Sequence, residues 1–503
     1  MTRAALAISG PTAWKSPSKW LLLLCAAGAL AGCKPVGPDY RRPAYTPTPL
    51  YKETGASTVI VPPPAPAGGA WQPASPSDGM LRGKWWEVFG DPQLNQLEER
   101  IAAKNLAVRQ ALDLYQAAQQ QVRIAQSSYT PLISAGPSFT HNKLSSRRPF
   151  YNGTGGSSQF NDLQLLAQAS WEPDFWGQIR RTVEAARANA QATAAQQANI
   201  ELSFEAQMAS SYLEMRGLDH QKQLLQADVE ELDAQLKLAQ QRLQGGVDTE
   251  ADVELAKTQL ESTRAQMIDV GIVRAQLEHI VGTIADYKLP NFSLAPAPLD
   301  LALPNIPLGV PSQLLERRPD IAIAERQAAA ANAQIGIAIS AYYPTLTLGG
   351  SGGFESTHGG TWIQGPSTLW SLGASAVELL VDGGRRHAYT AQARDQFEAA
   401  ANNYKGVVFL AFNEVEDDLS DLRILEQETA AQQAAVDSAQ RALDLTNQEY
   451  AGGVVNYLQV LIAENALIQN QRTLATLTTA RFTGSVQLIA ALGGGWDTTQ
   501  LPH

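Results

Sequence analysis

The chain has 503 residues, a net charge of −11, 44% hydrophobic and 17% charged residues, and two cysteines. Its length allows about three ordinary domains. Nucleic-acid binding needs clustered Lys and Arg, so the acidic balance excludes that partner. Beyond the N-terminus no apolar run reaches the ~20 residues a membrane-spanning helix requires.

Residues 1–32 read as a signal peptide, with Arg3, Lys15 and Lys19 ahead of the apolar run Trp20 to Gly32. A plain secretory signal would end in small residues of the A-x-A kind. Here the end is Leu30-Ala31-Gly32-Cys33, which resembles a bacterial lipobox. That likeness implies cleavage before Cys33 and acylation of Cys33. With Lys34 rather than Asp next, it also implies residence in the bacterial outer membrane, lipid-anchored and extending into the periplasm. Cys25 leaves with the signal, so the mature chain has one cysteine and no internal disulfide. Residues 33–80 are rich in Pro, Gly and Ser and are expected to be an extended linker.

Two stretches then repeat, 81–288 and 311–495, around a Pro-rich connector at 289–310 and before a tail at 496–503. Tyr129-Thr130-Pro131 is answered by Tyr342-Tyr343-Pro344, Trp176-Gly177 by Asp382-Gly383, and Gly245-Gly246-Val247 by Gly452-Gly453-Val454. Each repeat reads helix, strand, loop, strand, long helix, Gly-Gly break, long helix. Strands are expected at about 132–143, 161–172, 344–354 and 368–381. They alternate apolar with small or polar residues, as Trp370, Leu372, Ala374 and Ala376 do with Ser371, Gly373 and Ser375. Leu166 breaks the polar face of its strand.

The helices carry coiled-coil spacing, with Leu225, Val229, Leu232, Leu236, Ala239 and Leu243 in steps of four and three. Ala256, Leu260, Thr263, Met267 and Val270 continue it after the first break, and Leu461, Ile468, Ala475 and Phe482 recur in the second repeat. An uninterrupted helix from Arg180 to Gln244 would run roughly 100 Å at 1.5 Å per residue.

Four strands cannot close on themselves in a bilayer, where an open edge strands its backbone polar groups. Two copies would give a barrel filled by its own side chains. Three copies give twelve strands and a lumen. The expected fold is mainly α with a shared transmembrane β-barrel, each protomer of a trimer giving four strands and long coiled-coil helices. A soluble half-buried sheet would explain one such segment, but four favour the barrel. A spacer or adhesin built on the coiled coils would leave all four unexplained.

The lipobox followed by "CKPVGPDYRRP", then "WWEVFGDPQL", "RRPDI" at 317–321, "AFNEVED" at 411–417 and the two Gly-Gly-Val breaks resemble the TolC-like outer-membrane factors, in their lipoprotein branch. The resemblance implies a homotrimer with a twelve-strand barrel and a periplasmic α-helical barrel. It implies a passive exit for drugs or other small toxic compounds from an inner-membrane RND-type transporter, through a periplasmic adaptor protein. No cofactor is implied.

On the family pattern the breaks are adaptor-docking tips, Arg242, Gly245, Gly246, Val247 and Thr249 forming one and Gly452, Gly453, Val454 and Asn456 the other. Leu458 falls on an apolar constriction ring, with Gln459, Ile462 and Asp252 at the same periplasmic gate. Ile462 and Gln459 stand where related proteins often carry Asp. The acidic Asp248, Glu250 and Asp252 supply local negative charge or favour the helix N-terminus. Export of secreted proteins or of metal ions are the other duties within the family; five Met and six His argue against a dedicated copper or silver route.

An enzyme is the rival outside it. "GGSGG" at 349–353 satisfies G-x-S-x-G, whose chemistry needs a strained strand-to-helix turn exposing Ser351. It lies instead within an alternating segment. The scattered histidines form no H-E-x-x-H, and no P-loop is present.

Overall fold

The computed structural model describes residues 34–45, 51–54, 83–145, 159–306 and 314–502. The signal peptide and Cys33 lie outside the described residues, as does most of 55–80. Helix α1 (Pro92–Lys104) begins at Asp91, whose carboxylate accepts the N–H groups of Gln93 and Leu94. Helix α2 (Leu106–Ser127) leads to strands β1 (Leu132–Lys143) and β2 (Gln159–Trp171). Two long helices follow, α3 (Gln178–Gln244) and α4 (Glu250–Ile284). After the connector come α5 (Pro319–Ser340), β3 (Thr345–Ser356), β4 (Thr368–Val377), α6 (Arg385–Ala451) and α7 (Tyr457–Ala491). Helices α3 and α6 have 67 residues each, and α4 and α7 have 35 each. Equal lengths across the two halves are the duplication written in structure.

The compact units cut across the repeats. One holds residues 121–187 and 329–397 with the described N-terminal segment up to Arg41; the other holds the remainder. The reason is the sheet. Both repeats give two strands to one antiparallel sheet of order β1-β2-β3-β4, since no pair of strands could cover its own edges. Its register sets Ser134, Gln168, Ser351 and Ser371 in one cross-strand row. On the opposite face Ile133, Phe139, Trp370 and Leu372 are 72%, 64%, 78% and 78% exposed. Strands of 10 to 13 residues with one apolar face match the ~9–11 residues of a tilted membrane strand. Among the described residues no helix is long and apolar enough to cross a membrane. Leu166, the irregularity in β2, shares a row of the polar face with Gly136, Gly353 and Leu369. Strand β4 stops at Val377, short of 381, because Glu378 turns toward Arg386 on the first turn of α6, 3.2 Å away.

Each long helix starts on an aspartate. Asp174 accepts the N–H groups of Ile179 and Arg180, and Asp382 those of Gly384 and Arg386. Arg180 and Arg386 return ion pairs of 3.1 and 2.7 Å to the same carboxylates. Asp382 therefore answers Asp174, and not Trp176 as the sequence alignment of the repeats had it. Trp176 stacks on Tyr343, centroids 4.8 Å apart, and donates its indole N–H to the Pro344 carbonyl.

The first residues after Cys33 are docked rather than extended free. Arg181, buried on α3, donates to the carbonyls of Val36 and Gly37 and pairs with Asp39 at 2.9 Å. Asn332 donates to the Pro38 carbonyl. A β-carbon on Gly37 would come within 2.5 Å of the Gly336 Cα, so the "VGPD" stretch needs glycine at that crossing. Further on, Tyr51 is buried among Leu314, Ile321, Tyr404 and Val408, and Tyr45 stacks on Phe412. The Glu416 carboxylate accepts the N–H groups of Lys52 and Glu53 at 2.6 and 3.0 Å.

The helical unit has its main core around Trp85, Leu94, Ile101, Met208, Tyr212, Val281 and Phe482. The connector lies on that core through Leu299, Leu301, Leu303 and Ile306. Its backbone is held by four buried or half-buried charges. Arg216 and Arg274 both pair with Asp219, at 3.1 and 3.0 Å, and Arg274 also pairs with Glu278 at 2.7 Å. Arg216 donates to the Ala295 carbonyl, Asp219 accepts the Ala297 N–H, and Glu278 accepts the Leu294 N–H. The heptad positions Leu225, Leu232, Ala239, Ala256, Leu260, Ile468, Ala475 and Phe482 are all buried; Leu243, at the end of its helix, is 36% exposed.

Candidate functional site: the helical tips

Both Gly-Gly breaks close their helices by the same set of hydrogen bonds. At the first, Gly246 donates to the Leu243 carbonyl and Val247 to the Arg242 carbonyl, both at 2.9 Å. At the second, Gly453 donates to Tyr450 and Val454 to Glu449, at 3.0 and 2.9 Å. Paired 5→2 and 6→1 bonds of this kind satisfy the last carbonyls of a helix when the next residue is left-handed. Gly246 and Gly453 supply that residue, with φ of +73° and +75°. Gly245 and Gly452 have ordinary φ, and a β-carbon there would meet only normal contacts at 3.5 Å. The backbone reversal therefore belongs to the second glycine of each pair.

The next helices begin differently. Thr249 caps α4 by a reciprocal box: its hydroxyl accepts the Asp252 N–H, and the Asp252 carboxylate accepts the Thr249 N–H at 2.9 Å. The Asp252 carboxylate is thus committed to the helix start, the plainer of the two roles weighed for the acidic run. Asn456 stands at the start of α7 without a side-chain cap bond. The apices are exposed, Val247 by 66% and Val454 by 76%. Leu458 and Ile462, one turn apart on α7, are 46% and 61% exposed, and Gln459 is exposed beside them. Tyr457 is buried and anchors that first turn.

Sequence reasoning missed the network between the two tips. Asp248, its side chain 7% exposed, accepts both oxygens' worth of contact from Arg242 Nε at 3.1 Å and the Tyr450 hydroxyl at 2.5 Å. The Arg242 guanidinium also lies over the Tyr450 ring, 4.3 Å from its centroid. Burial and the bond to Asp248 push the Tyr450 hydroxyl upward, so it stays protonated and donates. Tyr450 is 202 positions from Asp248 in the chain, which is why no local pattern announces the pair. The likeness of the two Gly-Gly-Val breaks was the one signal that could have placed them side by side.

The remaining sequence motifs are structural. Trp85, Trp86 and Phe89 of "WWEVF" are buried, and Trp85 donates to Glu205 at 3.0 Å. Arg318 of "RRPDI" pairs with Glu414 of "AFNEVED" at 2.7 Å and donates to the Ala491 carbonyl. Ser351 lies mid-strand in β3, in the row with Gln168 and Ser371, and not at a strand-to-helix turn.

A sheet with one apolar face and two open edges, joined in one chain to paired helical hairpins, defines the protomer of an outer-membrane channel. The model for the outer membrane efflux protein family matches residues 97–278 and 310–494, one match in each repeat, and the chain belongs to that family. The pyoverdine export outer membrane protein OpmQ of Pseudomonas aeruginosa is 29% identical, over 86% of this chain and 92% of its own. The cation efflux system protein CusC of Escherichia coli is 28% identical, over 96% and 100%. The solved outer-membrane channel OprN superposes with a TM-score of 0.81 at 26% identity, covering 92% of this chain and 99% of its own. As a family member the chain is the outer-membrane exit channel of a tripartite efflux pump. It works as a trimer with a periplasmic adaptor and an inner-membrane transporter.

Proposed function

We propose that this channel passes small organic compounds outward and catalyses nothing, that its two tips per protomer receive the adaptor, and that Leu458 closes the pore between openings. The observation that carries the reading is the pair of tips, identical in backbone bonding and different in their exposed side chains. Three protomers offer six such ends, and an adaptor of helical hairpins could meet all six through one interface. Arg242, Gly245, Gly246, Val247 and Thr249 make one docking end; Gly452, Gly453, Val454 and Asn456 make the other. Leu458 and Ile462 present an apolar face at the start of α7, with Gln459 between them. Three such faces on a threefold axis would hold a narrow pore shut by excluding water. Asp252, engaged in its cap, lies at the same end without a share in that closure.

The anchor is Cys33. The intact mass of the mature protein should carry its acyl chains, and an unmodified Cys33 would overturn the anchor.

Replacing Leu458 with alanine is expected to raise the conductance of the trimer in planar bilayers severalfold and to admit bulky antibiotics from outside. Unchanged conductance in a correctly assembled trimer would remove Leu458 from the gate.

A further inference from the structure

Glu464 lies on α7, half a turn past Ile462, and faces inward where Ile462 faces out. It is 3% exposed. Its Oε1 accepts the Gln235 amide of α3 at 3.0 Å, and its Oε2 has no hydrogen-bond partner. The groups facing it offer no compensating charge. From α3 come the carboxylates of Asp228 and Glu231, and from α7 itself the buried Tyr457, whose hydroxyl donates to Gln235 at 3.3 Å. From α4 the neutral Gln259 reaches this level, donating to Asn465 at 2.8 Å, and from α6 comes Tyr450, packed on Tyr457. A carboxylate here would be a buried charge beside two others of its own sign.

We propose that Glu464 is a positioning residue for the closed tip: a neutral acid in the seam between α3 and α7 whose ionisation parts the two hairpins and frees the α7 face that carries Leu458. This rests on the reading of Leu458 as the gate. The mechanism needs only a proton. With the proton on Oε2 the acid is uncharged, and Gln235 satisfies its carbonyl oxygen. When the proton leaves, the charge must be hydrated, and water reaches it only if the helices separate. Leu458 is a turn and a half along the same helix, so its seating depends on that seam.

Burial raises Glu464 from 4.5 to about 8, helped by the carboxylates of Glu231 and Asp228. Burial likewise raises Asp228 to about 6. An acid raised by its folded surroundings stabilises the closed seam fully below its ordinary value. That stabilisation drains away as pH climbs from 4.5 toward about 8, and above that the loss is complete and constant. The tip should therefore loosen toward alkaline pH and change no further beyond it.

The test is hydrogen exchange of the full trimer in phosphatidylcholine nanodiscs, read on peptides covering 457–468, for the wild type and Glu464→Gln at matched pH. Taking the ratio of the two cancels the intrinsic pH dependence of exchange. The ratio should be near one at pH about 5, rise by up to about tenfold per pH unit, and level off near pH 8. Asp228→Asn should move that plateau to lower pH, since it removes a repelling charge. Where Glu464→Gln fails to assemble, Glu464→Met serves as the neutral partner. A ratio that stays flat with pH overturns the inference whatever Leu458→Ala does. A rising ratio with bilayer conductance independent of pH overturns the coupling of this acid to the pore, and the gate at Leu458 stands or falls by its own variant.

Discussion

Replacing Asp248 with alanine is expected to open the channel more than any other single change at the tips. The carboxylate is the only group joining Arg242 of the first hairpin to Tyr450 of the second among the contacts described, with bonds of 3.1 and 2.5 Å. Hydrogen bonds to a charged partner are worth ~1.5–3 kcal/mol each. Losing them from a nearly buried site should raise the open-to-closed ratio roughly tenfold to a hundredfold per protomer, at about 1.4 kcal/mol per tenfold. Tyr450→Phe removes one bond and keeps the Arg242–Asp248 pair, so its effect should be smaller. Arg242→Lys keeps a charge but loses the flat guanidinium that covers the Tyr450 ring, and should fall between. The measurement is single-channel conductance and open probability of trimers of matched yield. An Asp248→Ala trimer as closed as the wild type would show that the hairpins are held together elsewhere.

This pair also marks how far the sequence could be read. The repeat, the long helices, the four strands and the tips are set by local pattern: heptad spacing, period-two alternation, and a Gly-Gly pair in a glycine-poor helix. These signals sit within a few residues of each other, so they survive in one dimension. Contacts between distant segments do not. Asp248 with Tyr450, Glu464 with Asp228 and Glu231, and Arg318 with Glu414 each join helices whose facing sides depend on how the two hairpins pack. The N-terminal segment misled for a related reason. Pro-rich composition reads as a free linker, yet Val36, Gly37 and Asp39 are held by Arg181, and Tyr51 fills a core pocket. Composition reports what a segment cannot do alone and says nothing of a surface shaped to receive it. Within the tips, the residue types were legible and their division of labour was not: φ assigns the turn to Gly246 and Gly453 alone, and the Asp252 carboxylate goes to a cap.

Asp219→Ala should be the most damaging substitution outside the tips, and its effect is on assembly rather than gating. Asp219 is 6% exposed and lies between two arginines, Arg216 at 3.1 Å and Arg274 at 3.0 Å, while also receiving the Ala297 N–H at 3.1 Å. Removing it leaves Arg216, only 4% exposed, with its main carboxylate partner gone. Breaking a buried pair from one side costs ~3–5 kcal/mol, because the remaining charge keeps its desolvation penalty. Arg274 retains Glu278 at 2.7 Å, so the loss falls mainly on Arg216 and on the connector backbone. The connector joins the two repeats, and without this anchor its apolar residues lose their seat on the main core. Asp219→Asn keeps the acceptor oxygen for Ala297 and one arginine contact, and should recover part of the loss. Heating purified trimers while following near-ultraviolet circular dichroism separates the cases: Asp219→Ala should unfold well below the wild type and Asp219→Asn between them. If Asp219→Ala melts with the wild type, the connector is held by its apolar contacts alone and the charge network is incidental to stability.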